Sequence, residues 1–415
     1  MTAQLSEACI AHARRVVADA ASSVGPVAKA NILPADAYVS ADFWAFEKQA
    51  IFGREWLCLA HVNEVPGPGD HLYLNMAGEP LVLVRDETRT VRVLSAICQH
   101  RGHPLAAGVA EDRRQARCSN AMRLVCPYHN WSYGLNGKLI GAPAMRETTP
   151  LAELRKKISL PEVRSAIFHG LVFVNFDRNA APLAPSLSRV GAQLATYGLE
   201  ELVPGHIWEQ RNLGWNWKLH HENALEPYHT DYVHKGYHDA VPAAKTEFCP
   251  FEPGDGQVMR MTGFAESDGD LFEAEGTRRL PGLRGLTNEQ NSRVMFVSFM
   301  PTAVAVFQPS FLTITFLNPT SAGTLDSRRV NLYTKEAVAS PHFEQLRDEQ
   351  FTYMKTIILQ DQVTQVALQQ AYQSRFTPRG TLSRLESALP QLNQWSLERY
   401  RRALDEIGAA TATPG

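Results

Sequence analysis

Cys98 and His100 form a C-x-H arm, and Cys126 and His129 form a C-x-x-H arm further along the chain. Each arm is a short loop segment offering one sulfur and one nitrogen. Together the arms can hand two thiolates to one iron of a [2Fe–2S] cluster and two imidazoles to the other. Neutral imidazoles in place of two thiolates raise the potential of such a cluster. Gly102, beside the first arm, reads as a residue that lets backbone amides approach the cluster sulfides. The rival is a structural Cys2His2 zinc site, which uses the same ligand types. Zinc sites usually pair like with like, C-x2-4-C and then H-x3-5-H, whereas both arms here are mixed. Cys118 lies between the arms but has no histidine two or three residues later, so it is left out of the set.

A second group of candidate ligands lies in the run WNWKLHHENALEPYHTDYVH at 215–234. His229 and His234 are spaced H-x4-H, about 500° of rotation on an ideal helix, so they cannot share one helix face. The spacing suits one ligand on a helix and the other where that helix ends or unwinds. A third donor must come from elsewhere. Asp361 in IILQDQVTQVALQQAY is the best candidate, with Asp348 the competing carboxylate in the same helical run. Two imidazoles and one carboxylate make a facial triad, which holds Fe(II) on one side and leaves positions open for dioxygen and substrate. Trp215, Trp217 and Tyr228 read as core and scaffold, and His220 and His221 as structural.

The elements that must position these groups differ between the two halves of the chain. DFWAFEKQAIFGREWLCLAH reads as a helix followed by a strand. HLYLNM, PLVLVRD, TVRVLSAI and GLVFVNF are short strands separated by Pro, Gly and Asp punctuation. The second half carries long apolar strands over 292–319 and RRVNLYTK, with helical patterns at 210–235 and 343–374. Strands with flanking helices and no βαβ repeat predict an α+β fold. The expected division is a helical extension over 1–40, a small antiparallel β domain with the mixed arms over 41–180, and a larger domain with the second metal site over 181–415.

Composition excludes several classes. A formal net charge of −2 and the lack of a long basic run argue against nucleic acid. No window approaches the 18 or more uninterrupted apolar residues of a membrane span. His12, Arg14 and Arg15 interrupt the N-terminal apolar run, which is therefore not expected to be a signal peptide. Cys9, Cys58, Cys118 and Cys249 show no disulfide frame, and a reducing, cytoplasmic location is expected.

The segments CQHRGHPL and CPYHNWSYGLNGKL resemble the Rieske domain of the ring-hydroxylating, non-haem-iron oxygenases, in their large (alpha) subunit. The arms stand further apart than is usual there. The Arg-rich insert EDRRQARCSN at 111–120 reads as a longer surface hairpin tip, since loop extension costs little. NWKxxxENxxExYHxxxxH followed by a distant Asp resembles the catalytic domain of the same family. The resemblance implies a [2Fe–2S] Rieske cluster on Cys98, His100, Cys126 and His129. It also implies a mononuclear Fe(II) on His229, His234 and Asp361, in a helix-grip-like domain with a central antiparallel sheet.

The resemblance further places Asn223 near the iron. It makes Glu226 the carboxylate that bridges to a Rieske histidine of an adjacent subunit. The implied function is an oxygenase component that uses dioxygen to hydroxylate an aromatic or similar small organic substrate. There is no GxGxxG after a strand and no C-x4-C-x2-C frame, so a separate NAD(P)H-dependent reductase is implied, with or without a ferredoxin. The intermolecular electron path implies a homotrimer; whether a small beta subunit joins is open. Glu226 within ENxxExYH also resembles the quaternary-ammonium branch, so a betaine- or carnitine-type substrate is the alternative. A Rieske electron carrier and a zinc-stabilised binding protein are the rivals from other classes; the carrier leaves His229, His234 and Asp361 without a role.

Overall fold

The computed structural model describes residues 5–106, 120–236, 239–265 and 280–412. The chain forms two compact units, one made of residues 1–58 and 180–415 and the other of Leu59–Asn179. The first division therefore falls at 58/59, whereas the sequence had placed it at 40/41. The helix Ala41–Glu47 and the turn of π-helix after it belong with the larger unit. The N-terminal helix Glu7–Asp19 buries Cys9, Ala13, Val16 and Val17. It packs in that same unit against Ala41–Glu47 and the C-terminal helix Ala388–Ala412. Most of the insert at 111–120, and Cys118 with it, lies outside the described residues.

The smaller unit is built from short antiparallel strands. His71–Met76, Glu79–Arg85 and Val91–Ser95 form a meander. Leu124–Val125, Ser132–Tyr133 and Leu139–Gly141 form a second three-stranded sheet, and a third places Leu171–Asn175 between Leu57–His61 and Arg164–Phe168. A core of Val82, Val84, Leu94, Trp131, Tyr133, Leu135 and Leu160 fills this unit and includes both arm cysteines. One arm follows the strand Val91–Ser95, and the other connects Leu124–Val125 to Ser132–Tyr133.

The larger unit is organised by a seven-stranded antiparallel sheet. Its strands run Thr246–Phe248, Gln257–Gly263, Arg293–Phe299, Ala303–Phe307, Leu312–Ser321 and Thr324–Tyr333 as a meander, and Val203–Leu213 closes the far edge. The segment 210–213, expected to be helical, is the end of that edge strand. Register sets one face of the sheet. Val258, Ser298, Val304, Thr315 and Arg329 stand opposite one another across five strands. Arg260, Phe296, Val306, Thr313 and Asn331 form the parallel row beside them. Successive side chains on a strand alternate faces, so rows two residues apart share one face.

The long helix Phe343–Ala371 buries Phe343, Leu346, Gln350, Met354, Ile357, Ile358, Gln365 and Gln369. Spacings of three and four keep these on one stripe. Phe296, Val306, Met354, Ile357 and Ile358 share one core.

Candidate metal centres

The two mixed arms have nearly the same backbone. Cys98 N donates to His103 O at 2.9 Å, and Gly102 N donates to Cys98 O at 3.0 Å. In the second arm, Cys126 N donates to Trp131 O at 2.8 Å and Asn130 N to Cys126 O at 3.0 Å. The residue four after each cysteine takes a left-handed conformation, with φ +72° at Gly102 and +58° at Asn130. Glycine and asparagine are the residues that adopt it at least cost. A Cβ on Gly102 would meet nothing within 4 Å, so the backbone angle, rather than a close approach, explains the glycine.

Both sulfurs are buried and both imidazoles are partly exposed. The rings of His100 and His129 lie 4.8 Å apart, and Trp131 stacks on His100 at 4.6 Å. The Tyr133 hydroxyl lies 3.2 Å from Cys98 Sγ and accepts from Gln99 N at 3.0 Å. With its oxygen accepting from Gln99 N, its own proton is placed to reach the Cys98 sulfur.

His229 and His234 flank a single helical turn, Thr230–Val233, as its N-cap and C-cap residues. The preceding helix Trp217–Leu225 starts at Asn216, whose side chain accepts from Lys218 N, and ends at Glu226 with extended backbone. Glu226 precedes Pro227, and a residue before proline is driven out of the helical region. That break separates the two histidines from the helix and lets their rings converge, 5.2 Å apart.

Asp361 comes from the long helix. Its Oδ1 lies 2.9 Å from His234 Nε2 and 3.3 Å from His229 Nε2. Among the described residues, the one group of three or more His, Cys, Asp or Glu with donor atoms all within 4.8 Å of one another is His229, His234 and Asp361. Cys98, His100, Cys126 and His129 do not gather round one point in that way.

Each triad imidazole is oriented from behind. His229 Nδ1 meets Glu226 Oε1 at 2.5 Å, and His234 Nδ1 meets Gln360 Oε1 at 2.8 Å. With Nδ1 as the donor in both, Nε2 is left free toward a metal. Asn223 donates to Asp361 Oδ1 at 3.2 Å and accepts from Gln365 at 2.9 Å. Burial pushes Asp361 up, but hydrogen bonds with His229 and His234 outweigh it and hold the carboxyl well below its usual range. Burial pushes His229 down, while Asp361 and Glu226 raise it to about 9. Asp348, the competing carboxylate, is 63% exposed and pairs with its neighbour Arg347.

The triad lines a cavity between the sheet face and the two helices, shared with His220, Arg260, Phe296, Thr315, Ser327 and Arg329 among others. The sequence reading took His220 as structural and passed over Arg260 and Arg329. A charged residue inside the apolar strand QVMRMTG was the available signal for Arg260. His221, by contrast, is structural: it bonds Ser298 Oγ and Pro301 O, both at 2.9 Å. Trp215 and Trp217 are buried, whereas Tyr228, expected in the core, is 46% exposed.

Residues 55–161 match the Rieske [2Fe-2S] domain, and residues 199–402 match the ring hydroxylating alpha subunit (catalytic domain). The chain is 32% identical over 212 residues to the carnitine monooxygenase oxygenase subunit of Escherichia coli (strain K12), covering 50% of this chain and 54% of that protein. It is 33% identical over 210 residues to the 2-aminobenzenesulfonate 2,3-dioxygenase subunit alpha of Alcaligenes sp, covering 50% and 51%. The chain thus matches about half the length of these curated relatives. The fold is that of naphthalene 1,2-dioxygenase from Rhodococcus sp., with a TM-score of 0.74 at 20% identity over 97% of this chain and 100% of that one.

Proposed function

The chain belongs to the family of Rieske ring-hydroxylating oxygenase alpha subunits, and on that basis we propose that it is the oxygenase component of a multicomponent system. It takes dioxygen, and electrons from a separate NAD(P)H-dependent reductase, to hydroxylate a small organic substrate of aromatic or similar type. The matched domains imply a [2Fe–2S] cluster and a mononuclear iron. One observation carries this reading: His229, His234 and Asp361 converge at the wall of an internal cavity.

Bound iron would supply the dioxygen chemistry that side chains lack. The chain's own residues do the rest. His229, His234 and Asp361 would hold the ion from one side, and Cys98, His100, Cys126 and His129 would hold the cluster. Glu226 and Gln360 lock the two imidazoles in the tautomer that frees Nε2, and Asn223 steadies Asp361.

Glu226 also borders a second hollow beside His229, lined by Leu368 and by Phe376, which is 85% exposed. Such a surface suits a second copy approaching with His100 or His129 toward Glu226, and a closed ring of three copies is the assembly this favours. A second reading keeps both centres and takes a quaternary ammonium substrate; the likeness to a carnitine monooxygenase oxygenase subunit favours it.

The test begins with metal. Purified protein should hold roughly three irons per chain, two in the cluster and one at the triad. Asp361→Ala should lose the third, keep the cluster's visible absorbance and consume no oxygen with a surrogate reductase. Loss of the cluster colour in that variant would sink the assignment of Asp361.

A further inference from the structure

Arg329 stands on the strand Thr324–Tyr333, directly opposite Thr315 and two residues from Ser327 on the same face. All three line the cavity that holds His229, His234 and Asp361. Among the described residues, no hydrogen bond or ion pair engages the Arg329 guanidinium, and the hydroxyls of Thr315 and Ser327 are equally unengaged. Arg260 enters the same cavity from the strand Gln257–Gly263. It donates to Thr262 Oγ1 at 2.8 Å and to Ala224 O at 3.2 Å, and its Nε has no partner among the described residues. The two carboxylates nearby are committed elsewhere: Asp361 meets both triad histidines, and Glu226 meets His229.

Asp361 acts on the Arg329 guanidinium only through space, without an ion pair; a guanidinium held away from water without a direct partner is costly, and its planar fork fits a carboxylate or sulfonate. A divalent ion on the triad would add further positive charge to the same cavity. A quaternary ammonium group needs the opposite, an open aromatic face. Among the described lining residues, the Phe296 face is covered by Arg260 at 3.7 Å, and Trp215 lies parallel to His220, with ring centroids 6.4 Å apart. We propose that the cavity takes a substrate bearing a carboxylate or sulfonate, whose anionic group pairs with Arg329 and the hydroxyls of Thr315 and Ser327. The remainder of the molecule then fills the part of the cavity bounded by His229, His234 and Asp361. This rests on the oxygenase reading and names the substrate class for it. Burial also lowers the Arg329 guanidinium to about 10, still charged near neutral pH.

The experiment is calorimetric titration of the unreduced holoenzyme with benzoate, benzenesulfonate and butyrate, and with neutral benzamide and cationic phenyltrimethylammonium as controls. At least one anion should bind at least tenfold tighter than both controls. Arg329→Gln should remove that preference and leave benzamide unchanged, and Arg329→Lys should restore part of it. Cluster absorbance and circular dichroism check that the variants fold. Failure of all three anions to bind, tightest binding of phenyltrimethylammonium, or an unchanged preference in folded Arg329→Gln each overturns the proposal. The preference in the unmodified protein decides the matter even where the variant does not fold. The two readings fail separately. Anion binding without iron-dependent oxygen uptake would remove the oxygenase reading alone. Oxygen uptake driven by a cation, with no anion preference, would remove the anion assignment alone.

Discussion

At the scale of single residues, identical side chains take different roles because their surroundings differ. Asp361 and Asp348 share one helix. Asp361 falls on the stripe of Ile357, Ile358 and Gln365, which faces the sheet, whereas Asp348 falls between Leu346 and Gln350 and points to solvent. Glu222 and Glu226 share another stretch of chain. Burial raises the Glu222 carboxyl to about 7, with Glu226 adding to the rise, while the Tyr38 hydroxyl bond and the Lys218 charge oppose it. Tyr38 donates to Glu222 at 2.7 Å, and Lys218 is itself paired with Glu47 at 2.8 Å.

The folded chain therefore holds this proton more tightly than the unfolded chain does. The resulting stability is fully present below about pH 4.5 and is lost as pH rises through about 7. Glu222→Gln removes the titration. Wild-type melting temperature should fall relative to that of the variant between pH 5 and 8, by on the order of a few degrees. Parallel curves for the two proteins would show that Glu222 does not titrate in this way.

At the scale of elements, the metal ligands depend on where helices stop. The helix Trp217–Leu225 is tied to the sheet by His221, whose Nε2 donates to Pro301 O and whose Nδ1 accepts from Ser298 Oγ. Burial lowers this imidazole to about 4, so it stays neutral and keeps both bonds near pH 7. His221→Leu would leave both partners buried and unmet and would cost about 2–3 kcal/mol of stability. Denaturant unfolding measures this, and a loss below about 0.5 kcal/mol would mean that the anchor is dispensable. The turn at 230–233 and the Pro227 break were partly legible in the sequence, because H-x4-H cannot lie on one helix face. The edge strand reaching 213 was not, since its polar, half-buried residues carry no clear alternation.

At the scale of the whole molecule, the proposed cluster ligands and the proposed iron ligands lie in separate compact units. The proposed electron path runs from one copy's cluster to another copy's iron. Protein in which the cluster is removed by Cys98→Ser and protein carrying Asp361→Ala should each be inactive. Oligomers assembled from both should recover part of the wild-type activity, because an intact cluster and an intact triad then meet across an interface. Glu226→Gln should keep both metals and abolish coupled turnover. The measurement is oxygen uptake by co-expressed, tandem-tagged assemblies. No recovery in the mixed oligomers, or wild-type turnover by Glu226→Gln, would place the electron path within one chain or through another residue.

The candidate ligand set was readable in the sequence because it depends on residue type and on spacing within short loops. Cys98, His100, Cys126, His129, His229 and His234 stand close enough in sequence for local geometry to restrict what they can bind, and the α+β organisation followed from strand and helix patterns. The sequence already favoured Asp361 over Asp348; setting His220 apart from His221 and bringing Arg260 and Arg329 to the cavity were decided only by the tertiary structure. Those outcomes depend on sheet register and on which stripe of a long helix is buried, and both are settled by contacts between residues far apart in the chain.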